Sequence, residues 1–369
     1  MEARIERLRV AAHAIPTDAP ESDGTFAWQR TVLVTVELTS GKTKGFGYTY
    51  ADAATAKLIE ASLAPVVLGR DAYAPNAAYC AMLRAVRNLG RDGIAAMAIS
   101  AVDIAVWDLK ARLLGLPLVE LLSRVRDSVG IYGSGGFTSY DMARLEQQLG
   151  DWAEQGIPAV KMKVGTHADR DVERVQQVRD AIGDDCELFV DANGAYSHKQ
   201  ALALAEHFAD SGVTWFEEPV SSDDLPALSR LVQRMPASLE VAAGEYGYEP
   251  LYFERMLAAR AVDVLQADAT RCGGVTGFLR AAVLCDVHQT PLSCHCAPAL
   301  HVHLGCATGA VRHLEYFHDH VRIERLLLDG FIEPRGGKLQ PDRTRAGMGL
   351  ELRHADARRF LQSEASCER

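Results

Sequence analysis

The 369-residue chain lacks the apolar segments that mark membrane and exported proteins. A membrane-spanning helix needs ~20 mostly apolar residues. The most apolar region, residues 93–109, is interrupted by Ser100, Asp103 and Asp108. Residues 1–10 are rich in charge and contain no apolar core of a signal peptide, so we expect a cytoplasmic protein.

An excess of positive charge is also absent. The chain has 39 lysines and arginines against 49 aspartates and glutamates, which gives a net charge of −10. So acidic a chain is unsuited to wrapping nucleic acid or to binding an anionic membrane. We therefore expect neither partner, and an anionic substrate would have to be met by local positive charge.

Glycine-rich phosphate loops and a disulfide framework are missing as well. Residues 133–136 (GSGG) fit neither the GxGxxG fingerprint nor the P-loop pattern. The eight cysteines are irregularly spaced in a long chain, so we interpret them as reduced thiols. With 48% hydrophobic and 24% charged residues, the composition is that of an ordinary globular protein.

The spacing of apolar residues differs between segments of the chain. Residues 31–38 (TVLVTVEL) alternate as a strand does, whereas residues 94–106 carry apolar side chains at three- and four-residue spacing, which predicts a helix. We predict an α+β capping domain over residues 1–125 and, in residues 321–369, a C-terminal segment that returns to it.

Residues 126–320 show a regular alternation of short apolar runs and amphipathic helical stretches. This period predicts a modified TIM barrel, (β/α)7β; an open doubly wound sheet is the alternative. The strand candidates are Val129–Gly133, Ala159–Val164, Glu187–Asp191, Val213–Glu217, Leu239–Glu245, Val262–Asp268, Pro291–His295 and His313–Tyr316.

Ionisable residues stand at the ends of the second to the eighth of these strands. In a βα barrel the carboxyl ends of all strands face one cavity, so the side chains should converge there. Buried charges without partners are costly, which argues that the set is functional. It comprises Lys161, Lys163, Asp191, Glu217, Glu245, Asp268, His295 and Glu315.

Three carboxylates come from neighbouring strands: Asp191, Glu217 and Glu245. Such a cage of hard oxygen donors suits a divalent cation, and we predict Mg²⁺. Glu218 directly follows Glu217, and strand alternation would turn it away from the cage, so we expect a structural role for it.

Lys161 and Lys163 are two residues apart and should share one face of their strand. Two ammonium groups on an interior face lower each other's pKa, which would make one of them a usable general base near neutral pH. The alternative is a pair of solvated surface lysines, against which the apolar neighbours argue.

His295 lies one strand after Asp268. A carboxylate on one ring nitrogen fixes the tautomer and raises the basicity of the other, so we expect a catalytic pair. Cys294 and Cys296 flank His295 and could suggest zinc, but adjacent strand residues point to opposite faces. We therefore interpret the cysteines as packing residues.

Glu315 belongs to the last strand candidate. In a cavity full of anions it could be protonated and donate a hydrogen bond to a substrate carboxylate. The alternative is a glutamate held in a salt bridge.

These motifs together resemble the enolase superfamily and, within it, the mandelate racemase group. The segment VKMK resembles the family's KxK strand, and three further segments resemble its metal-ligand strands. The four segments are residues 160–163, 191–194 (DANG), 215–219 (WFEEP) and 244–245 (GE).

The segment 268–274 (DATRCGG) separates the branches of this superfamily. In the muconate-lactonising and dipeptide-epimerase branches the next strand supplies a lysine base. Here it supplies His295, as the mandelate racemase branch requires, and residues 313–315 (HLE) resemble that branch's final strand.

The resemblance implies one Mg²⁺ per subunit, a small-molecule carboxylate substrate and a homo-oligomer, since many relatives are octamers. It implies that Lys163 is one base and that His295, paired with Asp268, is the other. It also implies that Glu315 polarises the substrate carboxylate, that Lys161 neutralises this carboxylate and tunes Lys163, and that Asn193 lies at or next to the substrate.

The resemblance also implies abstraction of the proton α to a carboxylate through an enediolate. It favours dehydration of an acid sugar to a 2-keto-3-deoxy acid, because acid-sugar dehydration is most of that branch's known chemistry. A racemase or epimerase of a 2-hydroxy acid is the alternative, and a scaffold without activity is the third possibility. The polar segment 15–28, which ends at Trp28, suits a polyhydroxylated substrate, and we expect Trp28 to contact it.

Overall fold

The computed structural model describes residues 3–369. The first two residues of the predicted capping domain therefore lie outside it. Among the described residues, no helix is long and apolar enough to cross a membrane.

The N-terminal part is an antiparallel sheet covered by helices. Strands β1 and β2 form a long hairpin, and β3 pairs with β2. The hairpin turn is shorter than the polar segment 15–28, because β1 and β2, after an irregularity between Pro16 and Glu21, pair again up to Ser22 and Ala27. The strands are β1 (Arg7–Ser22), β2 (Ala27–Ser40) and β3 (Thr43–Tyr50).

Five helices follow, of which α4 is the longest and packs on β3. The close approach depends on Gly47, since a Cβ there would lie 2.2 Å from the carbonyl oxygen of Ala101. A π-helical turn, Ile59–Leu63, joins the first two helices. The helices are α1 (Ala54–Leu58), α2 (Ala64–Val67), α3 (Pro75–Ala85), α4 (Ile94–Leu113) and α5 (Leu118–Leu121).

Within the described residues, eight parallel strands close into a barrel, because the last strand pairs with the first. The predicted barrel is thus confirmed, and the open sheet is excluded. The strands are β4 (Val129–Ser134), β5 (Ala159–Lys163), β6 (Glu187–Asp191), β7 (Val213–Glu217), β8 (Glu240–Ala243), β9 (Val264–Ala267), β10 (Leu292–Cys294) and β11 (Val311–Phe317).

One helix connects each strand to the next, and an eighth helix, α13, follows the last strand. The helices are α6 (Met142–Glu154), α7 (Ala168–Ile182), α8 (His198–Asp210), α9 (Leu225–Val232), α10 (Pro250–Ala258), α11 (Gly274–His288), α12 (Pro298–Ala307) and α13 (His318–Leu327).

The barrel interior is layered. A buried layer that includes Tyr132, Phe189 and Trp215 fills the lower part, and the rings of Phe189 and Trp215 stack with centroids 5.2 Å apart. Strand alternation places Lys161 in the layer above, with its ammonium 5.3 Å from the centre of the Tyr132 ring. The aromatic layer therefore forms the floor of a cavity that opens at the carboxyl ends of the strands.

The C-terminal segment pairs with both the barrel and the N-terminal sheet. Strand β13 pairs with barrel strand β4, whereas β15 pairs antiparallel with β1. Residue 320 lies inside α13, so this helix runs across the predicted boundary. The elements are β12 (Leu328–Asp329), β13 (Lys338–Leu339), β14 (Glu351–Leu352), α14 (His354–Ala357), a 3₁₀ turn (Arg358–Phe360) and β15 (Leu361–Glu368).

Candidate active site at the mouth of the barrel

The strand ends bring the predicted ionisable residues into one buried cavity. Asp191 and Glu217 are the last residues of β6 and β7, and Glu245 follows β8 by two residues. Asp268 and His295 each stand one residue beyond β9 and β10. All eight predicted side chains of this set are buried, at 6% exposure or less.

The three carboxylates of Asp191, Glu217 and Glu245 converge as predicted. One oxygen of each lies within 4.8 Å of the others, and Oε2 of Glu245 makes no hydrogen bond among the described residues. Burial together with the Asp191 carboxylate raises the pKa of Glu217 to about 8, although Lys161 opposes this. Three crowded carboxylate oxygens are hard donors that fit a divalent cation such as Mg²⁺.

Lys161 lies at the centre of the anionic groups. Its ammonium donates to both carboxylate oxygens of Glu217 at 2.6 Å and lies 2.8 Å from Oε1 of Glu315. Burial alone would lower the pKa of Lys161, but these two carboxylates hold it well above its usual range. Lys161 is therefore a fixed positive charge, placed where a substrate carboxylate would need one.

Lys163 shares the inward face of β5 with Lys161, and its ammonium donates to Oδ2 of Asp191. Burial and Lys161 both lower the pKa of Lys163, in line with the expected effect of the pair. Asp191 outweighs them, so that the pKa of Lys163 lies above its usual range. The expectation of a lowered pKa is therefore wrong for these side chains as they stand, because the sequence did not show that Asp191 contacts Lys163.

His295 and Asp268 form the predicted pair, with Nδ1 of the ring 3.0 Å from Oδ2 of the carboxylate. The other oxygen of Asp268 accepts hydrogen bonds from the backbone N–H and hydroxyl of Thr270, both at 2.7 Å. Burial alone would lower the pKa of His295, but the acidic groups around it, Cys296 and Glu245 foremost, raise it well above its usual range. Its Nε2 points toward the cavity, 3.4 Å from Oε2 of Glu245.

Glu315 accepts hydrogen bonds on both oxygens. Ser134 donates to Oε1 at 2.6 Å, on the oxygen that Lys161 also contacts, and the backbone N–H of Cys296 donates to Oε2 at 2.9 Å. Burial would raise the pKa of Glu315, but Lys161 and His295 hold it well below its usual range. The expectation of a protonated Glu315 is therefore wrong here, since the side chain is surrounded by donors rather than anions.

Cys296 also reaches this cavity. Its Sγ lies 3.4 Å from Nε2 of His295 and 3.3 Å from Oε2 of Glu315. Strand β10 ends at Cys294, and Cys296 adopts the left-handed conformation with φ 54°, so strand alternation no longer applies to it. The interpretation as a packing residue holds for Cys294, which joins the hydrophobic core, but is wrong for Cys296.

Strand alternation predicts that Glu218 points away from the site, but it lies beside the carboxylates. Its backbone is also left-handed, with φ 38°, so the alternation that should turn it away is broken. Burial and the carboxylates of Glu245 and Asp191 raise its pKa well above the usual range. Oε1 of Glu218 and Oδ1 of Asn193 are buried without a hydrogen-bond partner in the described part of the chain.

Glu218 and Asn193 line a cleft of about 600 Å³ beside the carboxylates. The backbone N–H of Asn193 donates to Oδ1 of Asp191 at 2.8 Å, which connects the cleft to the carboxylate group. The remaining lining residues are mostly polar: Thr25, Asp92, Gly194, Ser221, Ser222, Asp223, Tyr246, Tyr248, Glu249, Tyr252 and Arg255.

The β1–β2 hairpin lies over the barrel mouth. Its tip residue Gly24 packs so closely that a Cβ there would lie 2.4 Å from the carbonyl oxygen of Ala192 and 2.6 Å from that of Val164. The carbonyl of Asp23 accepts a hydrogen bond from Thr166 at 2.8 Å. These contacts anchor the hairpin on the ends of β5 and β6, directly after Lys163 and Asp191.

The side chain of Trp28 is fully engaged by its neighbours, so its indole N–H is not free to bind another group. Its indole N–H donates to Glu21 at 2.8 Å, and its ring meets Phe137 edge-on at 5.5 Å. Two further polar side chains of the hairpin are also engaged, since Ser22 bonds to Thr138 and Asp18 lies 3.3 Å from Arg144. These polar side chains of segment 15–28 therefore help to dock the hairpin, and Trp28 makes no hydrogen bond to the eight ionisable residues at the strand ends among the described residues.

Comparison with known proteins places the chain beside enzymes of this architecture. Residues 6–123 match the N-terminal domain of the mandelate racemase and muconate lactonizing enzyme family, and residues 143–357 match the enolase C-terminal domain-like family. The chain is 31% identical to the L-talarate/galactarate dehydratase of Salmonella typhimurium, over 99% of this chain and 92% of that protein.

Solved structures agree with these matches. A mandelate racemase/muconate lactonizing enzyme-like protein from Rubrobacter xylanophilus is 52% identical, with a TM-score of 0.95 over 97% of this chain and 100% of that chain. An L-talarate dehydratase from Polaromonas sp. JS666, complexed with Mg and L-glucarate, is 30% identical with a TM-score of 0.89 over 99% of each chain.

Proposed function

The chain belongs to the mandelate racemase and muconate lactonizing enzyme family, and we propose that within it the protein is a Mg²⁺-dependent acid-sugar dehydratase. One observation carries the proposal. The carboxylate trio, the two inward lysines and the His295–Asp268 pair face one buried cavity, and this combination serves removal of a proton next to a carboxylate.

The metal would be held by Asp191, Glu217 and Glu245. A bound divalent cation supplies positive charge that stabilises the oxygens of a substrate carboxylate as negative charge builds on them. It would also engage the carboxylate of Asp191 that raises the pKa of Lys163. We therefore propose that Lys163 serves as a base in the metal-loaded enzyme.

The charge of each side chain suggests its role in binding the substrate carboxylate or in transferring a proton. Lys161 neutralises the substrate carboxylate, and Glu315, which Ser134 and Lys161 hold in place, orients it. Lys163 stands on β5 and His295 after β10, so that they approach the substrate from different sides of the barrel mouth. The raised pKa of His295 favours its protonated form, which suits delivery of a proton to a departing β-hydroxyl.

The cleft beside the carboxylates supports a hydroxylated substrate. Asn193 and Glu218 offer orphaned buried oxygens there, which are acceptors for hydroxyl groups. The lining contains Asp92, Asp223 and Glu249 but only one cation, Arg255. An uncharged polyol tail fits this surface better than a second carboxylate, so we propose an aldonic rather than an aldaric acid.

A substrate screen tests the proposal. Purified protein with Mg²⁺ is incubated with a panel of aldonic and aldaric acids, and 2-keto acid is detected. We expect keto acid from at least one aldonic acid and little from the aldaric acids. If no acid of the panel gives keto acid, the proposed dehydratase activity is contradicted. If only aldaric acids give keto acid, the activity stands and only the proposal of an aldonic substrate with an uncharged tail is contradicted.

We also propose a cytoplasmic homo-oligomer. Val283 and Val287 lie one turn apart on α11 and are 60% and 71% exposed, which leaves an apolar strip on the outside of the barrel. A partner subunit would remove these side chains from water. Light scattering coupled to gel filtration tests this, and a monomer at working concentration would contradict it.

A further inference from the structure

Three donor atoms of different chemistry meet beside the carboxylate trio: Nε2 of His295, Sγ of Cys296 and Oε2 of Glu315. The nitrogen is 3.4 Å from the sulfur, the sulfur is 3.3 Å from the oxygen, and the nitrogen is 3.6 Å from the oxygen. All three side chains are buried. We call this group the thiol site.

The triangle has the dimensions of three corners of a tetrahedral metal centre. Bonds of about 2.0 to 2.3 Å, as in zinc sites, separate neighbouring ligands by about 3.3 to 3.7 Å. The three measured separations fall in this range. A nitrogen, a sulfur and a carboxylate oxygen are also the donor types that zinc combines.

The neighbours of the thiol site orient its ligands in advance. Asp268 takes Nδ1 of His295, which leaves Nε2 to face the sulfur, as in the carboxylate–histidine–zinc arrangement. Ser134 and Lys161 take Oε1 of Glu315, which leaves Oε2 on the side of Cys296. The left-handed backbone of Cys296 turns its sulfur inward.

We propose that the thiol site binds Zn²⁺ or a cation of similar softness, separately from the Mg²⁺ at Asp191, Glu217 and Glu245. The sulfur selects against Mg²⁺, which prefers oxygen, whereas the all-oxygen trio suits it. Binding forms bonds from the metal to sulfur and to Nε2 of His295, and it releases to solvent the thiol proton and the Nε2 proton of the imidazolium.

Occupation of the thiol site would inhibit the enzyme. The metal takes the Nε2 lone pair of His295 and Oε2 of Glu315, two groups that the proposed dehydration uses. This consequence rests on the proposed function, but metal binding itself does not. The binding experiment therefore remains decisive even if no sugar acid is turned over.

The test uses Co²⁺ as a spectroscopic probe on the full-length protein in saturating Mg²⁺. A thiolate bound to Co²⁺ gives an intense near-ultraviolet charge-transfer band that oxygen ligands do not give. We expect this band in wild type, saturating at one Co²⁺ per chain and removed by Zn²⁺. We expect it to weaken at least tenfold in Cys296→Ser and to persist in Cys294→Ala, the matched control on the packing side.

No band in wild type, or an undiminished band in Cys296→Ser, would overturn the proposal. Melting curves show whether each variant folds, and Cys296→Ala replaces Cys296→Ser if the latter does not. Where a substrate is turned over, Zn²⁺ should inhibit wild type without relief by excess Mg²⁺, and inhibition should weaken at least tenfold in Cys296→Ser. Inhibition that Mg²⁺ relieves and that Cys296→Ser retains would place Zn²⁺ at the carboxylate trio and overturn the proposal.

Discussion

Oδ2 of Asp268 lies 3.0 Å from Nδ1 of His295, and the carboxylate is held from its other side by Thr270. The ring is thereby fixed in one tautomer, with Nε2 toward the cavity. The buried anion also stabilises the imidazolium form. Both effects are needed if His295 is to carry a proton to the leaving group.

Replacement of Asp268 by asparagine should therefore remove catalysis with little change of structure. The amide keeps the shape but neither fixes the tautomer nor stabilises the charge, so we expect kcat to fall about 10³-fold or more. Steady-state kinetics measure the loss, and Asp286→Asn, an exposed carboxylate on α11, is the control. A kcat near that of wild type would show that the pair plays no part.

Glu217→Gln tests the metal assignment. It removes one anionic ligand but retains a similar side chain, so we expect loss of activity and weaker Mg²⁺ binding by calorimetry, with the fold unchanged. Glu187→Gln, at the opposite end of β6, should behave as wild type. Turnover by Glu217→Gln, or by wild type treated with EDTA, at the normal rate in metal-free buffer would refute the assignment.

Lys161→Met tests the role of the buried ammonium. Without it, Glu217 and Glu315 remain buried without their shared cation, which costs about 3 kcal/mol of unfolding free energy. Mg²⁺ should restore part of this loss, since it would bind Glu217. Urea denaturation with and without Mg²⁺ measures both effects. The exposed Lys57→Met should lose almost nothing, and an equal loss in the two variants would speak against the account.

Because His303 is buried, we expect the free energy of unfolding to fall in acid. Its Nε2–H donates to the carbonyl of Met348, its Nδ1 has no partner among the described residues, and burial lowers its pKa from 6.5 to about 4. The unfolded chain binds a proton near pH 6.5, and the folded chain only near pH 4. Stability is therefore present above pH 6.5 and is lost as the pH falls toward 4.

Between about pH 7.5 and 5, this histidine alone should cost about 2 kcal/mol of unfolding free energy. The variant His303→Gln should show a loss smaller by that amount. Denaturant titrations of both proteins at the two pH values give the comparison. Parallel losses in wild type and variant would mean that His303 does not titrate in this way.

The barrel and its convergent residues could be predicted from the sequence because buried parallel strands appear as short, mainly apolar runs. In β6 and β7 both faces are covered, so Phe189 and Trp215 point into the barrel while Val190 and Phe216 pack outward, and most residues of each strand are apolar. Ionisable residues at the ends of such runs stand out, and closure of the barrel brings them together.

The errors arose where the backbone leaves the strand. Glu218 and Cys296 both follow a strand end in a left-handed conformation, so a rule based on alternation turned them the wrong way. The protonation states of Lys163 and Glu315 depend on contacts to Asp191 and Lys161 across neighbouring strands, which spacing along one strand does not show. Docking of the hairpin through segment 15–28 is likewise a contact between distant segments.

Lys163 and His295 are proposed to divide proton transfer between them, and the variant His295→Asn in D₂O separates their roles. With the sugar acid that wild type dehydrates, proton NMR follows the α-hydrogen while a colorimetric assay follows 2-keto acid. We predict that the variant forms no keto acid while Lys163-dependent deuterium exchange at the α-carbon survives. Keto acid formed at the wild-type rate would contradict the claim. So would a wild type that interconverts α-epimers of an acid without a β-hydroxyl and releases keto acid from no sugar acid, since that result would establish a racemase.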